Sequence, residues 1–315
     1  MKQSRLSTWV QQGRIIALML LFWMTFPEMA NAAEQKVLLI NSNSTVKRYV
    51  DIQKEFLQQW SGPSQVVDMQ GKEDASEKIV DIVKKYQPDV IFNIGSQAHT
   101  LANEQFKNIR QVFAAVINWR RFPVGEYALG VSNEPMSGMQ FSLMRSLFPN
   151  LHRIGVLYNP EVNMEWVEAA SQEAKAWQFD ILARPITNPS QLRDKLNILL
   201  GETDALWLIS DPVVLASKEA VQMIFTTADQ LRKPVVAYNE LFAQYGAVLV
   251  VSVDIPTIGR QAAILARKII SGTKSSDEKV VSAAGSYVIL NRKQVSRYHI
   301  KINNDATDMI NKIIE

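Results

Sequence analysis

The sequence predicts an α/β protein made of two doubly wound lobes, each with a parallel sheet covered by helices on both faces. From Lys36 onward, short apolar runs alternate with longer helix-type stretches, which is typical of right-handed βαβ units. The pattern restarts near Glu134, and it contains too many units for one small sheet. Two lobes also fit the length of 315 residues, because one domain usually holds about 150.

In the first half of the chain, the predicted strands are mostly apolar and the helices repeat apolar residues every three or four positions. Pro88 follows the second helix and ends it. The predicted strands are 36–40, 65–69, 89–94 and 112–117, and the predicted helices are 46–60, 75–86 and 96–107.

The second half repeats this rhythm and ends in a short tail of mixed character. The segment 271–285 is rich in Ser, Lys, Gly and Asp, so we expect an exposed loop there. The predicted strands are 153–158, 179–183, 204–209, 234–238, 247–253 and 287–290, and the main predicted helices are 134–148, 163–177, 189–200, 217–231, 256–270 and 305–314.

The first 32 residues have the pattern of a cleavable secretory signal. A basic start that includes Arg14 precedes an apolar run over 15–26, and the small residues Ala30-Asn31-Ala32 follow. The apolar run has 12 residues, whereas a transmembrane helix needs roughly 20. We therefore expect cleavage after Ala32 and a periplasmic protein. Retention of the segment as an N-terminal anchor is the alternative.

Composition excludes several classes of partner and site. The 34 basic and 31 acidic residues nearly balance and are interspersed, so we expect no nucleic-acid partner and no electrostatic membrane patch. The chain has no cysteine, which rules out disulfides, a catalytic thiol and a lipid-modified N-terminal cysteine. An exported protein of this kind is held together by core packing alone.

Sequence motifs for catalysis or cofactor binding are absent. The histidines His99, His152 and His299 are far apart and have no metal-ligand spacing. The chain has no Gly-rich dinucleotide turn, phosphate-binding loop or nucleophile elbow. We therefore expect no enzyme, metal or cofactor, since a periplasmic hydrolase would need a catalytic constellation. No spacing pairs any two of the aspartates that could be considered as acids, namely Asp68, Asp74, Asp211 and Asp254.

Polar loops at the carboxyl ends of the predicted strands indicate a binding cleft. Ligands of open α/β sheets bind at these ends. The loops carry neutral hydrogen-bonding groups, aromatic rings and two acids, which suit a small polar or zwitterionic solute. The same residue types also form turns and helix caps, but six such loops on one side of two lobes favour a cleft. The loops are Asn41-Ser42-Asn43-Ser44, Gly95-Ser96-Gln97, Asn118-Trp119, Tyr158-Asn159-Pro160, Ser210-Asp211-Pro212 and Tyr238-Asn239-Glu240.

Several motifs in the same order resemble the tryptophan/tyrosine-type periplasmic substrate-binding proteins of ABC transporters. The most specific motif is Gly259-Arg260-Gln261-Ala262-Ala263, which leads to Ser271-Gly272. The resemblance covers most of the chain after residue 32 and is weakest before Ile79. The other motifs are Arg153 to Pro160, Asp204 to Leu208 with Ser210-Asp211-Pro212, Pro234 to Tyr238, Val288 to Asn291, and the final segment from Asp308 to Glu315.

The resemblance implies the fold of a type I periplasmic binding protein, in which two α/β lobes are joined by three crossovers and close by a hinge. The helix 256–270 would return to the first lobe. Crossovers are then expected near Ser132, Val253 and Gly285. The implied division is a signal peptide over 1–32, lobe 1 over 33–132 plus 254–284, and lobe 2 over 133–253 plus 285–315.

The resemblance also implies ligand-binding positions. Ser44 matches only loosely, and the better matches are Gly95, Ser96, Gln97, Tyr158, Asn159, Asp211, Tyr238 and Asn239. The chain departs from the family at Asn118-Trp119-Arg120-Arg121-Phe122, where tryptophan-type members have a Thr/Asn–Asp/Pro turn after the strand. We add Asn118 and Trp119 to the candidate site, because this bulky basic loop could fill the pocket, supply an anion partner or lie outside it.

The implied function is the capture of a small organic solute, such as an amino acid or aromatic compound, for delivery to an ABC permease. The alternative is a sensory module that reports ligand occupancy to a membrane-bound signalling protein. Both functions use the same fold and cleft, so the sequence does not separate them.

Overall fold

The computed structural model describes residues 34–72, 76–272 and 278–315. The predicted signal segment, Asp74 and residues 273–277 of the predicted loop lie outside the described residues. The predicted fold class is confirmed, because two α/β lobes with largely parallel sheets are present. Among the described residues, no helix has the length and apolar character needed to cross a membrane.

Lobe 1 is built on a six-stranded sheet within the described residues. Its strands are β1 (Val37–Asn41), β2 (Ser64–Asp68), β3 (Val90–Ile94), β4 (Arg110–Ala114), β5 (Ala128–Val131) and β11 (Val280–Val281). They lie in the order β11-β5-β4-β3-β1-β2, and every neighbouring pair is parallel. Parallel pairing places the carboxyl ends of these strands at one edge of the sheet, where the loops face lobe 2.

Helices cover both faces of this sheet. They are α1 (Lys47–Gln59), α2 (Ser76–Tyr86), α3 (Ser96–Gln105) and α8 (Ile255–Ile270). Along β1, Val37 and Leu39 pack towards α1 and α8, whereas Leu38 and Ile40 pack towards α2 and α3. This alternation explains why β1 is apolar from Val37 to Ile40, since each of these side chains is buried on one face or the other.

Lobe 2 contains a seven-stranded sheet within the described residues. Its strands are β6 (Arg153–Tyr158), β7 (Asp180–Pro185), β8 (Ala205–Leu208), β9 (Val235–Ala237), β10 (Leu249–Val253), β12 (Ser286–Asn291) and β13 (Lys312–Ile314), in the order β13-β12-β10-β9-β8-β6-β7. Only the β10–β12 pair is antiparallel among these described strands. The helices of this lobe are α4 (Ser137–Leu147), α5 (Pro160–Ala176), α6 (Leu192–Glu202), α7 (Lys218–Gln230) and α9 (Arg292–Arg297).

The chain passes between the lobes three times in the described residues. It crosses from β5 to α4, from β10 to α8, and from β11 to β12. The last two crossings lie side by side, since the N–H of Asp254 donates to the carbonyl of Gly285 at 2.9 Å. Gln261 also holds the third crossing, because it donates to the carbonyl of Ser282 and accepts from the N–H of Ala284.

Helix α8 packs tightly on α1 because position 259 is glycine. A Cβ added at Gly259 would lie 2.5 Å from the carbonyl oxygen of Ile52, so no larger residue fits at this helix crossing. The next residue, Arg260, forms an ion pair with Glu55 at 2.7 Å. The Gly-Arg-Gln motif therefore fixes a helix of lobe 1 that directly follows a strand of lobe 2.

The structure corrects two expectations about the last third of the chain. The predicted helix 305–314 is instead a 3-10 helix (Asn304–Met309) followed by β13, which extends the lobe 2 sheet beside β12. The predicted exposed loop 271–285 contains β11, in which Val280 is buried. Both strands obtain their hydrogen bonds from partners distant in the sequence, and local periodicity does not report such partners.

Candidate functional site

The lobe 1 wall of the interlobe cleft consists of strand-end loops that are hydrogen-bonded to one another. Ser42, after β1, donates to the carbonyl of Ile94 at 2.7 Å and accepts from the N–H of Ala98 at 3.0 Å. Ser96 accepts from the N–H of Ile117 at 3.1 Å, which joins the loop after β3 to the loop after β4. These bonds fix the relative positions of the loops before any ligand is present.

Gly95 allows two of these loops to approach each other closely. Its φ is +89°, and an added Cβ would lie 2.7 Å from Oγ of Ser42 and 2.9 Å from the ring of Tyr49. Glycine adopts such a φ without the penalty that a side chain brings. Gly95 therefore contributes only backbone atoms to the wall. Glycine is needed at this position because Ser42 and Tyr49 leave no room for a side chain.

Ser44 and Gln97 form hydrogen bonds within lobe 1. The hydroxyl and N–H of Ser44 both donate to the carboxylate of Asp68. Gln97 donates through Nε2 to the carbonyl of Gly71 at 3.3 Å. Neither of these two predicted site residues lines the two cavities described below.

Asn118 joins the two lobes. It is buried, and its φ of +52° lies in the left-handed region that asparagine tolerates. Its Oδ1 accepts a hydrogen bond from the hydroxyl of Ser210, which follows β8 in lobe 2. A polar contact therefore spans the cleft between two of the predicted loops.

The basic loop after Asn118 also contacts lobe 2. The guanidinium of Arg120 lies 4.9 Å from the ring centroid of Trp119 and 5.0 Å from that of Trp166, on α5. Its Nη1 is 2.7 Å from Oε2 of Glu134, and both side chains are largely buried, with 16% and 9% exposed. The positive charge is thus satisfied within the protein, in a stack that bridges the lobes.

Asp211 is fully buried, and hydrogen bonds from its own lobe occupy its carboxylate. Oδ2 accepts from the backbone N–H of Asn159 at 2.6 Å and from Nδ2 of Asn163 at 2.8 Å. Oδ1 accepts from the N–H groups of Val213 and Val214, both at 3.0 Å. The carboxylate therefore holds the loops after β6 and β8 together, with its acceptor sites already used.

Tyr238 and Asn239 lie at the centre of the lobe 2 wall. Burial raises the pKa of Tyr238 to about 12, and Ser210, Glu134 and Arg48 are close enough to influence it. The phenol therefore stays protonated at neutral pH and can donate a hydrogen bond. Asn239 caps the 3-10 helix Glu240–Tyr245 by accepting from the N–H of Leu241 at 3.0 Å.

Two cavities lie on either side of the Asn118 loop. The larger compartment, of about 960 Å³, is lined by residues of both lobes that include Arg48, Ile117, Asn133, Tyr238 and Asn239. The smaller compartment, of about 400 Å³, is lined by Trp119, Arg120, Glu134, Met136 and Trp166, among others. Ile117 faces one cavity and Trp119 faces the other, so Asn118 lies at the boundary between them.

Tyr158, another predicted site residue, also lies away from these compartments. It lines a separate depression of about 600 Å³ on lobe 2, together with Glu165 and Ala183. The next residue, Asn159, caps α5 by accepting from the N–H of Glu161 at 3.1 Å. Neighbours in sequence at this strand end thus have different surroundings.

Sequence reasoning missed three polar residues of the cleft. Arg48 lies in the first turn of α1, and Asn133 and Glu134 lie in the first crossover. Arg48 donates through Nη2 to Oδ1 of Asn133 at 3.0 Å. Their position near the first strand-end loop and at the lobe junction was the only available signal, because no motif marks them.

The described residues contain no cluster of three or more histidine, aspartate or glutamate side chains that could hold a metal ion. Asp254 caps α8 by accepting from the N–H of Thr257 at 3.0 Å, and Asp68 holds the Ser44 turn. His99 is buried beneath the basic loop, against Phe113 at 4.2 Å.

The profile of one protein family, described as ABC transporter substrate binding protein, matches residues 61–312. The chain belongs to this family. The predicted resemblance is therefore confirmed, and so is the predicted function as a solute-binding protein. Substrate-binding proteins of this family are extracellular or periplasmic.

A relative of this substrate-binding protein supports the same assignment. This chain is 23% identical to a tyrosine-binding protein of Clostridioides difficile (strain R20291) over 238 residues, which covers 71% of this chain and 68% of the relative.

Solved structures share the fold. The ligand-free, open structure of a Clostridium difficile substrate binding protein with adhesive properties has a TM-score of 0.67 at 18% identity, covering 89% of this chain and 99% of the other. A Streptococcus pneumonia ABC domain in complex with L-Trp has a TM-score of 0.59 at 17% identity, covering 89% and 100%.

Proposed function

We propose that this protein captures a small organic solute in the larger compartment and delivers it to an ABC permease. The observation that carries the proposal is a cavity of about 960 Å³ whose lining comes from both lobes. This volume lies within the range of small-molecule pockets, about 300–1,000 Å³. A guest that contacts both lobes favours the closed arrangement, which a permease can distinguish from the empty one.

The lining supports an amphipathic guest. Tyr238 offers a protonated hydroxyl, and Asn239 lines the same compartment. Ile117 and Leu241 both line the larger compartment and are about half exposed, at 51% and 53%. An apolar or aromatic body would cover these side chains. The tyrosine and L-tryptophan named for the relatives have such a body.

We infer that residues 1–32 act as a cleavable signal and that the protein works in the periplasm. The basic start and the Ala30-Asn31-Ala32 segment support export. The absence of cysteine leaves no attachment site for a lipid anchor at a mature N-terminal cysteine. Solute capture as proposed involves no reaction and requires no cofactor on this chain.

A thermal-shift screen of the purified protein against amino acids, aromatic acids, nucleosides and sugars tests the proposal. A ligand at a hundredfold excess over its dissociation constant should stabilise the fold by about 2.7 kcal/mol. Tyr238→Phe should weaken binding, whereas Tyr158→Phe is the matched control, because Tyr158 lines a different depression. Loss of binding in the Tyr158 variant alone would contradict the site.

Uptake measurements distinguish the two roles that the cleft permits. Deletion of the gene should abolish cellular uptake of the solute that stabilises the purified protein. Normal uptake together with an altered signalling response would support the sensory alternative.

A further inference from the structure

The larger compartment contains a partly buried cation without a carboxylate partner among the described residues. Arg48 is half-buried, and the contact of its guanidinium with Asn133 at 3.0 Å leaves most of its N–H donors unused. A partly buried guanidinium is costly unless an anion or other acceptors satisfy it. These unused donors are therefore open to an anionic group.

The partly buried carboxylates of the cleft cannot supply that group, because each already has partners. Glu134 is paired with Arg120, and Asp211 accepts hydrogen bonds from its own lobe. Asp51, which lines the same compartment, is paired with Lys47. The anion that completes Arg48 must therefore come from the guest.

These engaged acids also restrict the cationic groups that a guest can carry. An ammonium placed beside Glu134 would have to share its charge with Arg120, and one beside Asp211 would have to displace hydrogen bonds that are already formed. Glu240 lines the compartment too, but it is exposed, so water screens its charge and a pair there would contribute little. The compartment thus has a site for a negative group and lacks a desolvated one for a positive group.

The remaining lining is largely apolar. Residues of this kind come from both lobes and from the second crossover, and they include Ile117, Leu241, Phe242, Val253, Ile255 and Ile289. Such walls favour a hydrocarbon or aryl body over a sugar, whose hydroxyls would be left without partners.

We propose that Arg48 binds the carboxylate of the ligand, and that the ligand is an organic acid anion with an apolar or aryl body that needs no ammonium group. The inference rests on the proposed function and names the ligand class of the same cleft. A guanidinium suits this role because its planar N–H donors can engage both oxygens of a carboxylate. A ligand that contacts both Arg48 on lobe 1 and Tyr238 on lobe 2 would couple its binding to closure of the two lobes.

Three probes that share one aryl body show whether the site recognises a carboxylate, an ammonium group or neither. They are 3-(4-hydroxyphenyl)propionate, its neutral amide and L-tyrosine, each titrated calorimetrically into the full-length exported protein. The acid should bind at least about tenfold more tightly than the amide, as expected for a charge-assisted hydrogen bond. It should also bind at least as tightly as L-tyrosine.

Variants of neighbouring cations provide the matched test. Arg48→Gln should lower the affinity for the acid about tenfold or more and leave the weaker affinity for the amide unchanged. Lys54→Gln is the control, since Lys54 lies on the same helix, is exposed and lines neither compartment. Its affinities should stay within about twofold of the parent. Circular dichroism and the unliganded melting temperature establish that both variants are folded.

Four results would overturn the inference. They are equal binding of acid and amide, retention of acid binding in Arg48→Gln, binding of L-tyrosine more than about tenfold tighter than the acid, or no binding of any probe. If a neutral solute binds in the cleft instead, the proposed function survives and only the ligand class fails. If no solute of the wider screen binds, the proposed function fails as well.

Discussion

The hydroxyl of Ser210 in lobe 2 donates a hydrogen bond to Oδ1 of Asn118 in lobe 1. Both residues are buried, at 5% and 8% exposed. The contact lies where the larger and smaller compartments meet, so separating the lobes must break it. The Arg120 stack between Trp119 and Trp166 is a second contact of the same kind on the side of the smaller compartment.

Replacing either member of the Ser210–Asn118 pair should loosen the contact between the lobes. Ser210→Ala and Asn118→Ala should each reduce stability by about 1 kcal/mol, and the double variant should lose less than the sum. Urea unfolding of all four proteins measures the coupling, and small-angle scattering should show a larger radius of gyration. Fully additive losses would mean that the two side chains do not interact in solution. Ser190→Ala, at an exposed position of lobe 2, is the control.

Asp211→Ala should damage the fold of lobe 2 as well as binding. The substitution leaves four buried N–H donors without their acceptor, from Asn159, Asn163, Val213 and Val214. Since even one unsatisfied buried donor costs about 1–3 kcal/mol, we expect a loss of at least about 3 kcal/mol in urea unfolding. Unchanged stability combined with lost binding would instead identify Asp211 as a direct ligand contact.

Gly259→Ala should destabilise the protein by about 2 kcal/mol or more. The new Cβ would lie 2.5 Å from the carbonyl oxygen of Ile52, and backbone at a helix crossing cannot move aside cheaply. Gly201→Ala, in α6, is the matched control, because no atom lies within 4 Å of its added Cβ. This control should be neutral or more stable by about 0.5–1 kcal/mol. Similar melting temperatures for the two variants would contradict the tight packing of α8 on α1.

Acid should destabilise the protein partly through His99. The imidazole is fully buried, contacts the rings of Phe113 and Phe122, and hydrogen-bonds Asn103 through Nε2 at 3.1 Å. Burial lowers its pKa to about 4 from a usual value of 6.5. Protonation therefore favours the unfolded chain, so this contribution is complete above pH 6.5 and is lost as pH falls towards 4. The loss approaches about 3 kcal/mol.

The difference in unfolding free energy between the parent and His99→Gln isolates this contribution from the carboxylates that titrate nearby. The difference should change across pH 6.5 to 4 and be constant above pH 7. Parallel pH profiles for the parent and His99→Gln would contradict a buried neutral imidazole.

The strand and helix pattern was predictable because its signal is local. In β1 every side chain is buried, and Val37 and Leu38 point to opposite faces, so an unbroken apolar run reports a strand covered on both sides. The C-terminal segment has no such local signal. Lys312–Ile314 is a strand only because β12 supplies its hydrogen bonds.

The candidate site was predictable at the level of loops and less so at the level of side chains. Tyr238, Asn239 and Asn118 lie at the interlobe cleft, in loops identified from strand ends. Asp211 and Tyr158 also follow or end predicted strands. The carboxylate of Asp211 is nevertheless buried and surrounded by hydrogen-bond donors of its own lobe, and Tyr158 lines a separate depression on lobe 2.

The amino-acid sequence by itself determined the α/β class, the two lobes, the family and the polar loops at the strand ends. Those properties depend on the periodicity of apolar residues and on motifs, which are read along the chain. Only the tertiary structure decided which polar groups remain available to a guest. Whether a carboxylate or a guanidinium is free depends on partners that are distant in the sequence. Arg120 is paired with the carboxylate of Glu134, whereas Arg48 contacts only the amide of Asn133 among the described residues.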